Sequence, residues 1–231
     1  MTVPEGATRL VLIRHGESAC SVAGVVGGEK GCTGLSPMGR GQAELLRDRL
    51  VRTGELGGAS ALYVSTLPRA QETALIACSG VGNGELDVLV DHELRELDPG
   101  DADGLTWVEF ASRYGEPDWD RDPSVPVAPR GESWTEFVER ARLAVTRLCS
   151  RHPGGLVVAV CHAGIVEASI LALLPVAPDR RRLTLRTEPT SMTVWEVEAG
   201  NGGANLPRHT TASDGSIWRL LRYNDTSHLT C

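Results

Sequence analysis

The chain has 231 residues, of which 41% are hydrophobic, and a formal net charge of −7. This length suffices for one large α/β domain spanning residues 1–231. The acidic balance argues against nucleic acid or an anionic membrane surface as a partner, because both require basic patches on the protein.

Apolar runs and helical periodicity alternate along the chain. In chain order, the patterns predict a strand at 9–14, a helix over Pro37–Thr53 that Gly54 ends, a strand at 61–65, a helix from 66 or 67 to 77, a helix that starts after the capping box at 133–136, a strand at 156–161, and a helix over 163–174. Residues 192–197 and 216–221 are predicted as late edge strands, joined by a loop over 198–215. The first three strands are apolar throughout, which is typical of strands covered on both faces.

The cysteines and the first residues bear on localisation. The 6 cysteines are scattered without close pairing, which fits a reducing compartment. Residues 1–8 lack the charged start and apolar core of a secretory leader, and no apolar run approaches membrane length. We therefore expect a cytoplasmic protein, and we leave open whether it forms a homodimer.

Cationic and imidazole side chains follow the predicted strands. Arg14 and His15 stand at the end of the first strand, Arg69 comes soon after the second, and His162 directly follows the third. Ligands of open α/β sheets lie outside the carboxyl ends of the strands, and guanidinium groups match phosphoryl oxygens. An ordinary strand end would account for Arg14 and His15 alone, but not for all four residues. The pattern therefore predicts phosphate chemistry.

Several motifs in order give the chain a family resemblance. They are Arg14-His15-Gly16, the Leu-Ser-x-x-Gly-x-x-Gln-Ala pattern at 35–43, the Ser-x-Leu-x-Arg-Ala-x-x-Thr-Ala segment at 65–74, Gly131-Glu132-Ser133, and His162-Ala163. Together they resemble the histidine phosphatase superfamily, in its phosphoglycerate mutase-like branch. The resemblance implies a three-layer α/β/α fold with a mostly parallel central sheet.

The resemblance also implies roles for the four residues at the strand ends. His15 would be the nucleophile, because a neutral imidazole attacks phosphorus and forms a reactive phosphohistidine. Arg14 and Arg69 would hold the phosphoryl group and neutralise charge on its oxygens. His162 would donate a hydrogen bond to another of those oxygens.

A carboxylate is needed as the general acid and base. By its position in the family pattern, Glu96 resembles the residue that protonates the leaving oxygen and then activates water. Glu93 lies nearby and is the alternative. The prediction is therefore a pair of candidates, of which Glu96 is preferred.

The chain departs from the family pattern at three places. Ser21 stands where asparagine is common, and its hydroxyl can still bind phosphate or substrate. Ala163 replaces the usual glycine after His162, where it is expected to border the substrate. Residues 99–104 lack the aromatic residue often found after the acid, which favours a different or larger leaving group.

Other phosphatase and metal-site motifs fit poorly. Asp101 and Asp103 match the start of an aspartate-nucleophile motif, but no buried strand precedes them. None of the cysteines has an arginine six positions later, as a cysteine phosphatase needs. No histidine pair has the helix spacing of a metal site. Catalysis without a metal or another cofactor is expected.

Two loops are candidates for selecting the substrate, and a plain surface loop is the alternative interpretation of each. Residues 24–34 are rich in glycine, and residues 116–130 are acidic and contain Trp119. A mutase that rebinds a doubly phosphorylated sugar acid would need more positive charge there, so hydrolysis of a small phosphate monoester is preferred to phosphoglycerate mutation. The triple Arg180-Arg181-Arg182 is a counterargument unless it lies on a solvated turn. A phosphoprotein phosphatase and a non-catalytic protein that binds a phosphorylated ligand also stay open.

Overall fold

The computed structural model describes residues 1–173, 185–198 and 215–229. Its main elements are β1 (Ala7–Arg14), α1 (Ala19–Val22), α2 (Pro37–Thr53), β2 (Ala61–Val64), α3 (Pro68–Ala77), β3 (Val88–Val90), α4 (Trp107–Arg113), α5 (Trp134–Arg151), β4 (Leu156–Cys161), α6 (Ala163–Leu173), β5 (Met192–Glu198) and β6 (Ile217–Asp225). Short 3-10 turns occupy Cys78–Gly80, Gly82–Gly84, His92–Leu94 and Gly100–Ala102. The predicted turn at Arg180-Arg181-Arg182, the predicted helix end at 174 and loop residues 199–214 lie outside the described residues.

The described strands form one mixed sheet in the order β3-β2-β4-β1-β5-β6. Strand β4 pairs in parallel with β1 and β2, and β2 pairs in parallel with β3. Strand β5 runs antiparallel to both β1 and β6. The predicted mostly parallel central sheet is therefore confirmed, and the carboxyl ends of β1, β2 and β4 lie side by side.

Alternating side chains of β1 divide the core into two layers. Leu10 and Leu12 face α5 and α6, in a cluster that includes Phe137 and Ile165. The other face of the sheet packs against α2 and α3 in a second buried cluster. Helices thus cover both faces of the sheet, which explains why the central strands are apolar throughout.

Local sequence signals set the ends of the main helices. The Ser36 hydroxyl accepts a hydrogen bond from the N–H of Gly39 at the start of α2, and Gly54 ends that helix with φ 61°. Ser133 and Glu136 form the predicted capping box at the start of α5. The predicted bounds of α2 and of β4 agree with the structure.

One strand prediction fails, and one strand was missed. Strand β5 is not at an edge, because β1 and β6 pair with its two sides. The short strand β3 was not predicted, since charged Asp87 and Asp91 flank its three residues. None of the helices in the described part of the chain is long and apolar enough to cross a lipid bilayer.

Candidate active site

His15 follows β1 directly, and its ring is held in one orientation. The residue is 5% exposed, and its main-chain N–H continues the sheet by donating to the carbonyl of Cys161 at 3.0 Å. The ring Nδ1 lies 2.6 Å from the carbonyl oxygen of Gly16. Because a carbonyl oxygen can only accept, Nδ1 carries the proton and Nε2 keeps its lone pair.

Arg69 contacts the other nitrogen of that ring. The residue lies in the first turn of α3 and is 5% exposed. Its Nε donates to His15 Nε2 at 3.0 Å, and its Nη1 donates to the carbonyl of Gly27 at 2.6 Å. The carbonyl of Gly27 in loop 24–34 therefore aims the guanidinium at the imidazole.

Arg14, the last residue of β1, brings a second guanidinium to the site. Its Nη1 donates to the main-chain oxygen of Thr187. Its Nε is buried and has no hydrogen-bond partner among the described residues. Burial lowers the pKa of Arg14, while Glu96 and Glu188 oppose that shift. The group remains a cation with a donor available to a ligand.

His162 follows β4 and lies beside His15. The two ring centroids are 5.0 Å apart, with the rings tilted by 62°. His162 Nε2 lies 2.8 Å from the hydroxyl of Ser65, just beyond β2. Its Nδ1 is buried and lacks a hydrogen-bond partner within the described part of the chain. If Ser65 donates to Nε2, then Nδ1 carries a proton that a phosphoryl oxygen can accept.

Both histidines are held in the neutral form. Burial is the largest cause that lowers the pKa of His15 well below its ordinary value, and the charge of Arg69 lowers it further. Burial and the charge of Arg69 also lower the pKa of His162. An uncharged imidazole with a lone pair on Nε2, beside two guanidinium groups, is suited to attack a phosphoryl group.

Glu96 borders the same cavity as Arg14, His15 and Arg69. Its carboxylate accepts hydrogen bonds from the N–H groups of Leu97 and Gly164, each at 3.1 Å. Glu93 is not part of the described cavity lining, and its carboxylate contacts the exposed ring of His92 instead. The structure thus brings Glu96, rather than Glu93, to the cavity that His15 borders.

Gly164 makes the position of Glu96 possible. A Cβ atom at residue 164 would lie 2.0 Å from Oε1 of Glu96. The close approach that requires glycine therefore falls at Gly164, one residue after Ala163. Ala163 itself starts α6 and lines the cavity.

An ion pair that the sequence did not predict supports the segment carrying Glu96. Arg140 of α5 bonds both carboxylate oxygens of Glu132, at 2.6 and 2.7 Å. The same guanidinium donates to the carbonyls of Glu93, Arg95 and Glu96 at 2.8 to 3.3 Å. Glu132 belongs to a motif noted in the sequence, but its contact with main-chain carbonyls has no sequence signal.

Four of the predicted substrate residues, Arg14, Ser21, Arg69 and Ala163, border one cavity of about 470 Å³, whereas the fully buried His162 is not part of its described lining. Ser21 lines it, and its hydroxyl lies 2.7 Å from that of Ser18. Parts of both predicted loops contribute, through Val25 to Gly27 and through Glu116, Pro117, Trp119 and Val127. The aromatic side chain absent from 99–104 is compensated, because tryptophan and phenylalanine residues from other segments line the cavity.

The aspartates of the rejected motif have other contacts. Asp103 accepts hydrogen bonds from the main-chain N–H groups of Gly28, Lys30 and Gly31 at 2.8 to 2.9 Å. It therefore fixes the shape of loop 24–34. In the described part of the chain, no three or more histidine, cysteine or acidic residues group in a way that could hold a metal ion.

Comparisons with known sequences identify the family of this chain. The family model of the histidine phosphatase superfamily (branch 1) matches residues 10–208. The chain is 30% identical over 224 residues to phosphoglycerate mutase-like protein 4 of Arabidopsis thaliana, covering 95% of this chain and 86% of that protein. It is 30% identical over 176 residues to a metal-independent phosphoserine phosphatase of the same plant, covering 74% and 71% of the two chains.

The fold comparison gives the same result. A native structure of mycobacterial glucosyl-3-phosphoglycerate phosphatase superposes with a TM-score of 0.72 at 30% identity, covering 94% of this chain and 99% of that one. The chain also spans 41% of the length of a longer mycobacterial bifunctional protein, at 36% identity. The family model covers most of the sequence and the fold agrees, so the chain belongs to the histidine phosphatase superfamily, branch 1.

Proposed function

We propose that this protein is a metal-independent phosphatase that hydrolyses a small phosphate monoester through a phosphohistidine on His15. The observation that carries the proposal is the environment of the buried imidazole. Nε2 of His15 keeps a lone pair and lies 3.0 Å from Nε of Arg69. The neighbouring His162 has a buried Nδ1 without a hydrogen-bond partner among the described residues. Relatives whose names describe metal-independent phosphoserine and glucosyl-3-phosphoglycerate phosphatases support the same chemistry.

In the first step, His15 Nε2 attacks phosphorus and the bond from phosphorus to the ester oxygen breaks. Arg14 and Arg69 neutralise the phosphoryl oxygens, and His162 donates a hydrogen bond to one of them. Glu96 gives its proton to the departing oxygen, so an alcohol leaves rather than an alkoxide. The products of this step are the free alcohol, phosphorylated His15 and an ionised Glu96.

The second step regenerates the enzyme. The Glu96 carboxylate takes a proton from water while that water attacks the phosphorus of phosphohistidine. The bond from phosphorus to Nε2 breaks, and inorganic phosphate leaves. Both steps use the same phosphoryl contacts, so one site performs both.

Hydrolysis is favoured over a mutase reaction by the charges around the cavity. In the described part of the lining, the cations are Arg14 and Arg69, whereas Glu116 adds negative charge. A mutase must hold a second phosphate or carboxylate, which needs further cations.

The single domain, the cytoplasmic location and the absence of nucleic-acid or membrane partners remain predictions from the sequence.

Release of inorganic phosphate from a panel of monoesters tests the proposal. We expect turnover of sugar, nucleotide, amino-acid or apolar monoesters in the presence of a chelator, and loss of activity in H15A. The exposed His92 supplies a control, since H92A should retain the rate. Phosphopeptides should be poorer substrates than the best small ester. If no monoester is hydrolysed, or if H15A retains the activity, the proposal is wrong.

A further inference from the structure

The cavity in front of His15 has an aromatic wall outside the phosphoryl site. We define this aromatic wall as the five ring residues of the lining: Trp107, Phe110, Trp119, Trp134 and Phe137. They come from α4, from loop 116–130 and from the start of α5. Rings from three segments therefore converge on one cavity, although those segments are separate in the sequence.

The rings of the wall form two packed groups, of which Trp107 and Phe110 are one, with centroids 5.8 Å apart. Trp119 stacks on Trp134 with centroids 5.7 Å apart and an interplanar angle of 30°. Trp134 in turn contacts Phe137 at 5.7 Å. The indole N–H of Trp119 donates to the carbonyl of Val125 at 2.8 Å, which fixes the ring on its own loop. A wall ordered before binding keeps the entropy cost of binding low.

Phe137 places one end of the wall close to Glu96, where the proposed leaving group departs. The ring of Phe137 is 3.0 Å from the position that a Cβ at Gly164 would occupy, and the Gly164 N–H binds Glu96. In the proposed mechanism, Glu96 protonates the leaving oxygen. The group attached to that oxygen must therefore extend past Glu96, where Leu97 and Pro99 continue the apolar lining.

The charges of the described cavity lining disfavour an acidic leaving group. The two arginines of the described lining, Arg14 and Arg69, both face the phosphoryl site, so they are already used by the phosphate. Glu116 also borders the cavity. A carboxylate on the leaving group would meet the rings and the Glu116 carboxylate, with no further cation among the described lining residues.

We propose that the preferred substrates are phosphate monoesters of uncharged, apolar alcohols that carry a ring. This inference rests on the proposed phosphatase function and names its substrate class. The cavity of about 470 Å³ lies in the range of small-molecule sites and exceeds the volume of a phosphoryl group. Burial of a phenyl group against the wall would strengthen binding by about ten- to a hundredfold.

Binding of non-hydrolysable phosphonates tests the substrate class separately from turnover. We expect calorimetry on the wild-type protein to show 2-phenylethylphosphonate binding at least about tenfold tighter than ethylphosphonate. The acidic 3-phosphonopropionate should bind no tighter than ethylphosphonate. Equal affinities for the phenylethyl and ethyl compounds, or a preference for the acidic compound, would overturn the inference.

Substitutions in the aromatic wall test whether it causes the preference for the phenylethyl compound. W119A should reduce the ratio of phenylethyl to ethyl affinity towards one, whereas W119F keeps a ring and should preserve most of it. Exposed Val108 of α4 does not line the cavity, and V108A is the matched control. W107A, which alters an exposed first-turn residue, provides a second probe of the wall. If all these variants keep the wild-type ratio, the aromatic wall does not bind the leaving group.

Turnover separates this inference from the proposed function. Benzyl phosphate should be hydrolysed with a higher kcat/KM than ethyl phosphate or 3-phosphoglycerate. If ethyl phosphate or 3-phosphoglycerate is the better substrate, the function stands and the substrate class is wrong. Tight binding of 2-phenylethylphosphonate without hydrolysis of any monoester would support the aromatic subsite and contradict the phosphatase function.

Discussion

Arg69 donates a 3.0 Å hydrogen bond from its Nε to Nε2 of His15, the atom with the available lone pair. The contact places a permanent cation beside the nucleophile and lowers the pKa of the imidazole, in addition to the larger effect of burial. A phosphoryl group that enters between Arg69 and His15 would replace this hydrogen bond with two new contacts. Its phosphorus would face Nε2, and its oxygens would face the guanidinium.

Removal of the Arg69 guanidinium should impair binding and turnover together. Loss of one preorganised donor commonly costs about 2.7–4 kcal/mol of transition-state stabilisation. We therefore expect R69A to lose a hundredfold or more in kcat/KM and to bind vanadate or phosphate more weakly. The exposed Arg40 is the matched control, and R40A should retain both properties. An R69A protein that binds vanadate like wild type would remove Arg69 from the phosphoryl site.

The effect on the rate of removing the Glu96 carboxylic acid should depend on the leaving group. In E96Q, alkyl phosphates should lose about 10²- to 10⁴-fold in rate, because a poor leaving group needs the proton. Aryl phosphates with good leaving groups should lose much less. E93Q is the matched control, since Glu93 lies beside the same segment but outside the described cavity lining. Equal losses on both kinds of ester would assign the proton transfer to another group.

Gly164 should act through Glu96, as a positioning residue. A Cβ at this residue would lie 2.0 Å from the Glu96 carboxylate, so G164A must displace that group. We expect G164A to reproduce the pattern of E96Q, with large losses on alkyl esters and small losses on aryl esters. The double variant should lose little more than either single variant. A uniform loss on all esters would indicate a general structural effect instead.

Stability should fall as the pH falls below about 6.5. Burial lowers the pKa of His15 and His162 well below the ordinary value and lowers that of His228 to about 4. At neutral pH these histidines are uncharged in the folded and in the unfolded protein. Below their pKa in the unfolded chain, the unfolded chain binds protons while the folded protein does not. Each histidine then lowers the free energy of unfolding by up to about 1.4 kcal/mol per pH unit.

Urea unfolding at pH 7.5, 6.0 and 5.0 measures this slope. The carboxylates with lowered pKa titrate at lower pH in the unfolded chain, so the histidines dominate this window. H228Q should flatten the slope, whereas H92Q, which changes an exposed ring, should leave it unchanged. A free energy of unfolding that stays constant from pH 7.5 to 5.0 would mean that the buried histidines are protonated in the folded state.

The strand-end residues could be predicted because each follows an apolar run or belongs to a family motif. The bounds of α2 were predictable for a local reason, since Ser36 caps its start and Gly54 adopts the left-handed conformation at its end. The inner place of β5 was not, because it depends on pairing with β1 and β6, far away in the sequence. Strand order of this kind leaves little trace in local patterns.

The contacts that position the site residues also could not be predicted from the sequence. The carbonyls of Gly27 and Thr187 orient Arg69 and Arg14, and any residue type supplies a carbonyl. Gly164 could have been noticed as the second small residue after His162, but its contact with Glu96 joins distant segments. The aromatic wall combines rings from three segments, so no single segment revealed it.

Trapping of the covalent intermediate tests the central claim most directly. After rapid mixing with a ³²P-labelled monoester and an alkaline quench, we expect label on His15, stable to base and labile to acid. Its amount should approach one phosphoryl group per site when dephosphorylation limits turnover, and peptide mapping should place it on His15. Turnover with no label on His15, or an H15A protein that still accumulates phosphohistidine, would contradict the account.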